Sequence, residues 1–249
     1  MKGAVHVRGS ATLLNPVQLA AESFMAEVPD VVVPVSGGGT GRGIRAVIDG
    51  IADLALASAD IDEVLARRAV QQRVELAAHA IARDAIVPCV HPENPVGQLT
   101  TDQLRDVFSG AVTSWRDLGG PDRPIAVMSY DPFQGTFESW MALLMGEDKI
   151  TPRARIVDTP EVVNELARSP DAIGYIASTR VNPTVKPLTI NGVVASEATI
   201  RSGAFPLTRA LSVVTVKNPG EATARFLAFL LDPAKGQRFL AQAGNVTHR

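Results

Sequence analysis

The stretch Val31-Val32-Val33-Pro34-Val35-Ser36-Gly37-Gly38-Gly39-Thr40-Gly41-Arg42-Gly43-Ile44, running on to Asp53-Leu54-Ala55-Leu56-Ala57-Ser58, decides how this chain folds. Residues 31–35 are apolar and largely β-branched, the composition of a strand. Ile44, Val47, Ile48 and Ile51 recur at helical spacing. Residues 53–57 return to a short apolar run. Strand, turn, helix and strand make the repeating unit of an α/β fold. The turn carries five glycines within residues 36–43, a density that calls for positive φ or close approach of backbone. It lacks the third glycine of the dinucleotide pattern and the Lys-Ser/Thr pair of a nucleotide phosphate loop. A smaller anion seated on backbone amides suits it, and so does a plain flexible turn.

The same alternation extends in both directions. Strands are predicted at residues 4–8, 74–83, 85–91, 125–130, 155–158, 172–176 and 211–217. Val17, Ala20, Ala21, Phe24, Met25 and Val28 share one helical face, with Pro16 suited to a first turn. Residues 101–108 read as a helix capped by Thr100 or Thr101. Phe137, Trp140, Met141 and Leu144 form another stripe ending at Gly146, and residues 161–168, 221–231 and 234–243 are also helical. The run 74–90 is long for one strand and carries Arg83-Asp84 in its middle, as a strand passing from one lobe into another reads. Residues 207–217 cross back. The expected organisation is discontinuous: lobe I from residues 1–84 plus 208–249, lobe II from residues 85–207, with a ligand in the cleft and closure by hinge bending.

Two more strand-to-helix junctions carry small and hydroxyl residues. Such junctions expose unpaired N–H groups, and the helix adds roughly half a positive charge at its start. In Gly9-Ser10-Ala11-Thr12-Leu13 the Thr12 hydroxyl and the N–H groups of Thr12 and Leu13 can donate; equally, Thr12 or Asn15 caps its helix. In Tyr130-Asp131-Pro132-Phe133-Gln134-Gly135-Thr136-Phe137, Gln134 and Thr136 can donate and Gly135 permits close approach; a capped turn uses the same residues.

Composition narrows the classes of function. A formal net charge of −2 exerts no general pull toward nucleic acid or acidic membranes. Aromatic residues, 5% of the chain, do not interleave with a basic patch. No apolar stretch reaches the roughly 20 residues of a membrane helix. Cys89 stands alone in an apolar run and reads as a buried small hydrophobe. His6, His79, His91 and His248 have no metal-ligand spacing, and no nucleophile elbow is present. Neither a cofactor nor a metal is expected.

Several segments resemble the phosphate-binding component of bacterial phosphate ABC transporters. They are Gly41-Arg42-Gly43-Ile44-Arg45-Ala46-Val47-Ile48-Asp49-Gly50-Ile51-Ala52-Asp53, Leu99-Thr100-Thr101-Asp102-Gln103-Leu104-Arg105-Asp106-Val107-Phe108-Ser109-Gly110 continuing through Trp115-Arg116-Asp117-Leu118-Gly119-Gly120, Ala172-Ile173-Gly174-Tyr175-Ile176 and Phe205-Pro206-Leu207-Thr208-Arg209. The likeness runs through most of the chain. It implies an α/β fold of the two-lobed periplasmic binding protein type (type II), with two hinge crossings and a central ligand cleft. It also implies ligand contacts from Thr12 and Leu13, from Thr40, Gly41 and neighbouring Arg42, and from Gln134, Gly135 and Thr136, with Ser58 after the 53–57 strand. The implied partners are phosphate or a similar oxyanion and a membrane ABC permease, with no nucleic acid and a monomeric state. The opening residues enter a strand-like segment at once with no leader read there, so by itself this start fits a cytoplasmic protein or one whose leader preceded Met1; the location the resemblance implies is periplasmic or extracytoplasmic.

Three positions depart from the family pattern. Ser58 stands where well-known members place an aspartate, Tyr130 where many place an arginine, and Gln134 where a serine is usual. Asp60 or Asp131 is the candidate replacement for the missing carboxylate, and Arg42 or Arg8 for the missing guanidinium. The resulting expectation is a receptor that captures a small oxyanion, inorganic phosphate before any other, delivers it to an ABC transporter and performs no chemistry on it. The alternative is a sensory or interaction module of the same fold with altered oxyanion specificity, sulfate or other, or no transport role, and a phosphoester hydrolase on this scaffold ranks third.

Overall fold

The computed structural model describes residues 3–132, 134–157 and 159–247; Met1, Lys2, Phe133, Asp158, His248 and Arg249 lie outside the described residues. The chain divides into two compact units, one of Met1–Arg83 with Ala210–Arg249, the other of Asp84–Arg209. It passes between them twice, inside the strands Leu76–Val90 and Thr208–Val216. Asp84, Thr208 and Arg209, expected in lobe I, fall in the second unit. The reason is chemical: Asp84 and Arg209 bond to each other and to residues of that unit.

In the first unit, Val7–Gly9 lies between two parallel neighbours, Val35–Ser36 and Leu54–Ala57. Leu54–Ala57 pairs on its other side with Ser212–Val214 in antiparallel register. All four residues of Leu54–Ala57 are buried, as a strand covered on both faces requires. Successive side chains of a strand point to opposite faces, and the core divides accordingly. Leu54 and Leu56 join Leu13, Val17 and Phe24 of helix Ala11–Glu27 and Phe226 and Phe229 of helix Glu221–Leu231. Ala55 and Ala57 join Ile44, Val47 and Ile48 of helix Thr40–Ile48 and Leu65 and Ala69 of helix Glu63–Gln71. Phe24 meets Phe226 and Phe229 at ring separations of 5.1 and 5.4 Å.

In the second unit the sheet continues through other strands. Ala172–Ala177 pairs antiparallel with the latter part of Leu76–Val90 and parallel with Ala126–Ser129, which pairs in turn with Arg155–Ile156. An aromatic cluster fills the core: Trp140 stacks on Tyr175 at 4.0 Å, and Phe108 and Tyr130 set their edges against it. Of the two candidate caps, Thr100 caps helix Thr101–Ser109 and forms a capping box with Gln103, and the helix ends at left-handed Gly110.

Several element limits differ from expectation. The 4–8 strand is two strands, Gly3–Ala4 and Val7–Gly9, because each half pairs with a different neighbour. Residues 74–83 and 85–91 form one continuous strand, Leu76–Val90. Pro16 sits inside the first helix, which starts five residues earlier at Ala11. Helix Glu63–Gln71, capped by Asp62, escapes the periodicity reading because only Leu65 and Ala69 of it are buried. Among the described residues, no helix is long and apolar enough to cross a membrane.

Candidate functional site

At the end of Val7–Gly9 the chain must turn tightly against its neighbour. A Cβ on Gly9 would lie 2.2 Å from the Leu56 carbonyl oxygen, so only glycine fits. Ser10 follows, its N–H on the Leu56 carbonyl at 2.9 Å. Ser10 is the N-cap of the first helix: its Oγ accepts from the Thr12 N–H at 3.3 Å, and its carbonyl accepts from the Leu13 N–H at 3.3 Å. The cap is therefore Ser10, not Thr12 or Asn15. Thr12 is half-buried, and the Leu13 side chain belongs to the core.

The glycine-rich turn has separate reasons for separate glycines. Gly39 takes φ 92° as the N-cap of helix Thr40–Ile48, and it provides no side chain to cap the first-turn amides. Gly43 allows that helix to lie directly on strand Val7–Gly9: a Cβ there would stand 2.5 Å from the Arg8 carbonyl oxygen and 2.7 Å from the Gly9 Cα. Thr40 is thereby carried to the end of Leu54–Ala57, where Ser58 begins the next loop. The Ser58 N–H donates to Thr40 Oγ1 at 3.2 Å, the two hydroxyl oxygens are 3.3 Å apart, and the Ser10 hydroxyl donates to Ser58 Oγ at 2.9 Å. Ser10, Thr40 and Ser58 are 0%, 3% and 0% exposed. Three buried hydroxyls thus converge beside the uncapped start of a helix. Each can donate or accept by rotating its hydrogen, and helix starts attract anions. Gly41 lies half-buried in the first turn, and Arg42 is exposed beside it. Of this group the sequence pointed to Thr40 and Ser58 and passed over Ser10, whose N-cap chemistry was the available signal. Arg8 and Asp60 are exposed.

In the second unit, the loop opens on Tyr130, which is a core residue. Its ring packs on Tyr175 at 5.2 Å and its hydroxyl is buried with no hydrogen-bond partner among the described residues. Burial pushes its phenol pKa up, opposed in part by the positive charge of Arg180. Gln134 is the N-cap of helix Gly135–Trp140, and its N–H donates to the half-buried Asp131 through the carbonyl at 2.9 Å. Thr136 is half-buried in the first turn.

Gly135 is buried, and its carbonyl accepts from the Ser139 hydroxyl at 2.8 Å and from Arg209 Nη1 at 3.3 Å. Arg209 Nη1 also reaches Ser139 Oγ at 2.5 Å, while Nη2 bonds Asp84 Oδ2 at 2.9 Å. Asp84 Oδ1 accepts from the Ser178 hydroxyl at 2.5 Å and the Ala85 N–H at 2.7 Å. A guanidinium bonded at this loop is that of Arg209, which the sequence reading did not single out. The sequence did hint at this pair, since a charge set within an apolar strand must find a partner. Among the described residues, no group of three or more His, Cys, Asp or Glu side chains is placed to hold a metal ion.

Residues 2–234 match the family profile described as the PBP superfamily domain. The phosphate-binding protein PstS of Bacillus subtilis is 28% identical over 208 residues, which cover 82% of this chain and 67% of that protein. PstS of Staphylococcus epidermidis is 25% identical over 246 residues, covering 93% of this chain and 75% of its own. Among solved structures, an ABC-type phosphate transport receptor from Vibrio cholerae superposes with a TM-score of 0.90 at 25% identity, covering 98% of this chain and 100% of its own. A Clostridium perfringens protein assigned as a phosphate ABC transporter substrate-binding protein, crystallised with bound phosphate, gives 0.85 at 26% identity, covering 99% and 100%.

Proposed function

We propose that this chain, which belongs to the PBP superfamily, is the solute-binding component of an ABC transporter and captures inorganic phosphate. Its fold is the two-lobed α/β fold of that family. The observation that carries the proposal is the hydroxyl cluster Ser10–Thr40–Ser58 at the uncapped start of helix Thr40–Ile48. Stripping water from a small anion costs more than one contact returns, so such a site needs many aligned neutral donors. In the first unit Thr12, Leu13, Thr40, Gly41, Arg42 and Ser58 are proposed anion contacts, and in the second Gln134, Gly135 and Thr136 are. The anion is held and released unchanged, outside the cytoplasm, to a membrane permease.

Calorimetry with phosphate, arsenate, sulfate and molybdate tests this reading. Phosphate is expected to bind at about micromolar or tighter, roughly −8 kcal/mol. Absence of heat with every anion of the panel, from folded protein, overturns it.

A further inference from the structure

We infer that Arg209 is a positioning residue for phosphate binding: it orients the Thr136 N–H by holding the carbonyl of Gly135. The inference rests on the function proposed above and adds to it a residue that need not touch the ligand.

Gly135 and Thr136 share one peptide plane. In a trans peptide the C=O and the following N–H point in opposite directions, and no cis peptide occurs among the described residues. Fixing the Gly135 carbonyl therefore fixes the direction of the Thr136 N–H. Among the described residues two side-chain donors hold it: the Ser139 hydroxyl at 2.8 Å and Arg209 Nη1 at 3.3 Å, with Nη1 also bonded to Ser139 Oγ at 2.5 Å. The other arm of the guanidinium is committed to Asp84 at 2.9 Å, and that carboxylate is held in turn by the Ser178 hydroxyl and the Ala85 N–H. The Arg209 and Asp84 side chains are 3% and 0% exposed. A rigid planar fork with both arms occupied has little freedom to swing. Its charge is matched by Asp84, so what it supplies to the loop is direction.

The two residues also occupy special places in the chain. Asp84 is the first residue of the second unit and Arg209 its last. The ion pair thus ties together the two strands by which the chain enters and leaves this unit, and extends the tie to the first turn of helix Gly135–Trp140.

Two variants separate positioning from a merely structural role. Arg209→Lys keeps a cation opposite Asp84 but cannot span to Gly135 as well. The paired change Asp84→Leu with Arg209→Met replaces the ion pair by apolar side chains, an exchange that often leaves stability intact, and removes the hold on the carbonyl. Binding is measured by phosphate calorimetry at 25 °C, with circular dichroism to establish that each variant is folded. A folded protein that has lost only stability keeps its Kd; one that has lost donor alignment does not. Each folded variant is expected to bind phosphate about tenfold more weakly, roughly the effect of one misdirected hydrogen bond. Either variant folded and binding within about twofold of the unmutated chain overturns the inference. No phosphate binding by the unmutated chain overturns the functional reading and this inference together.

Discussion

Thr40→Val is the sharpest probe of the first unit. Valine matches threonine in shape and replaces the hydroxyl with a methyl, so packing is preserved while the hydrogen bonding changes. Thr40 is 3% exposed, accepts from the Ser58 N–H at 3.2 Å and shares a hydrogen with the Ser58 hydroxyl at 3.3 Å. Losing that acceptor in a buried setting costs about 1–3 kcal/mol of folding stability. If the Thr40 hydroxyl also donates to the anion, a charge-assisted bond of about 1.5–3 kcal/mol is lost on binding. That corresponds to a Kd about 10–150-fold weaker. Thr40→Ser is the companion: it keeps the oxygen and removes one methyl, for roughly 0.8 kcal/mol of burial, and is expected to bind phosphate nearly as the unmutated chain does. Urea denaturation reads the stability change and calorimetry at 25 °C reads the affinity. A Thr40→Val protein that is folded, less stable and yet binds phosphate within about twofold would refute the reasoning. The hydroxyl cluster would then be a structural device of the sheet end, and the ligand would lie elsewhere.

Three further outcomes are expected. Gly43→Ala puts a Cβ 2.5 Å from the Arg8 carbonyl oxygen and should cost about 1–3 kcal/mol or more in thermal or urea unfolding, whereas Gly97→Ala, with open space around it, should leave the melting temperature nearly unchanged. Cys89 is wholly buried and its thiol is pushed up to about 12, so a thiol reagent at about pH 8 should label it only after unfolding; rapid labelling of folded protein contradicts this. The Arg68 hydrogen bond to Asp49 holds that carboxyl below its ordinary value. A depressed folded pKa contributes stability that is present above the unfolded value near 3.9 and is lost as pH falls through the folded one. Asp49→Asn should therefore lessen the acid dependence of stability below about pH 4, and an unchanged acid limb argues against the linkage.

How much of this was legible in the sequence depended on the range of the interaction involved. Thr40 lies in the glycine-rich turn between a strand and a helix, a local signal, whereas Ser58 was marked only by the family resemblance. Ser10 stands in the same loop as Thr12, but a helix with Pro16 in its first turn begins well after residue 10 and leaves Ser10 outside it. Helix Ala11–Glu27 instead runs through Pro16, begun by its serine cap. The strand limits at residues 4–8 and 31–35 shifted for another reason: which half of each run pairs, and with what, is decided across the sheet. Tyr130 sits at the mouth of a predicted anion loop, but its environment is the ring of Tyr175, far along the chain. The bonds from Arg209 to Gly135 and Asp84 likewise join distant positions. No periodicity encodes such a pairing; only the oddity of a charge inside an apolar strand announced that a partner was needed.

The buried groups described in the two units share an electrostatic property that bears on how an anion is held. Ser10, Thr40 and Ser58 are neutral, and the Arg209 cation is matched at 2.9 Å by Asp84. With the whole chain at a formal net charge of −2, capture of phosphate here draws on no large overall attractive field, and exposed Arg42 is the one cation among the proposed contacts. Affinity must then come from the number and alignment of dipoles, each effective only over a short range and within a narrow angle. Alignment is a property of the scaffold, which is why so many of the closest contacts involve residues with no direct claim on the ligand: Gly9 pressed on Leu56, Gly43 on Arg8, Arg209 on Gly135. A site built on charge tolerates small displacements, because Coulomb energy falls slowly with distance. One built on aligned dipoles does not, and its sensitive positions lie one layer behind the donors.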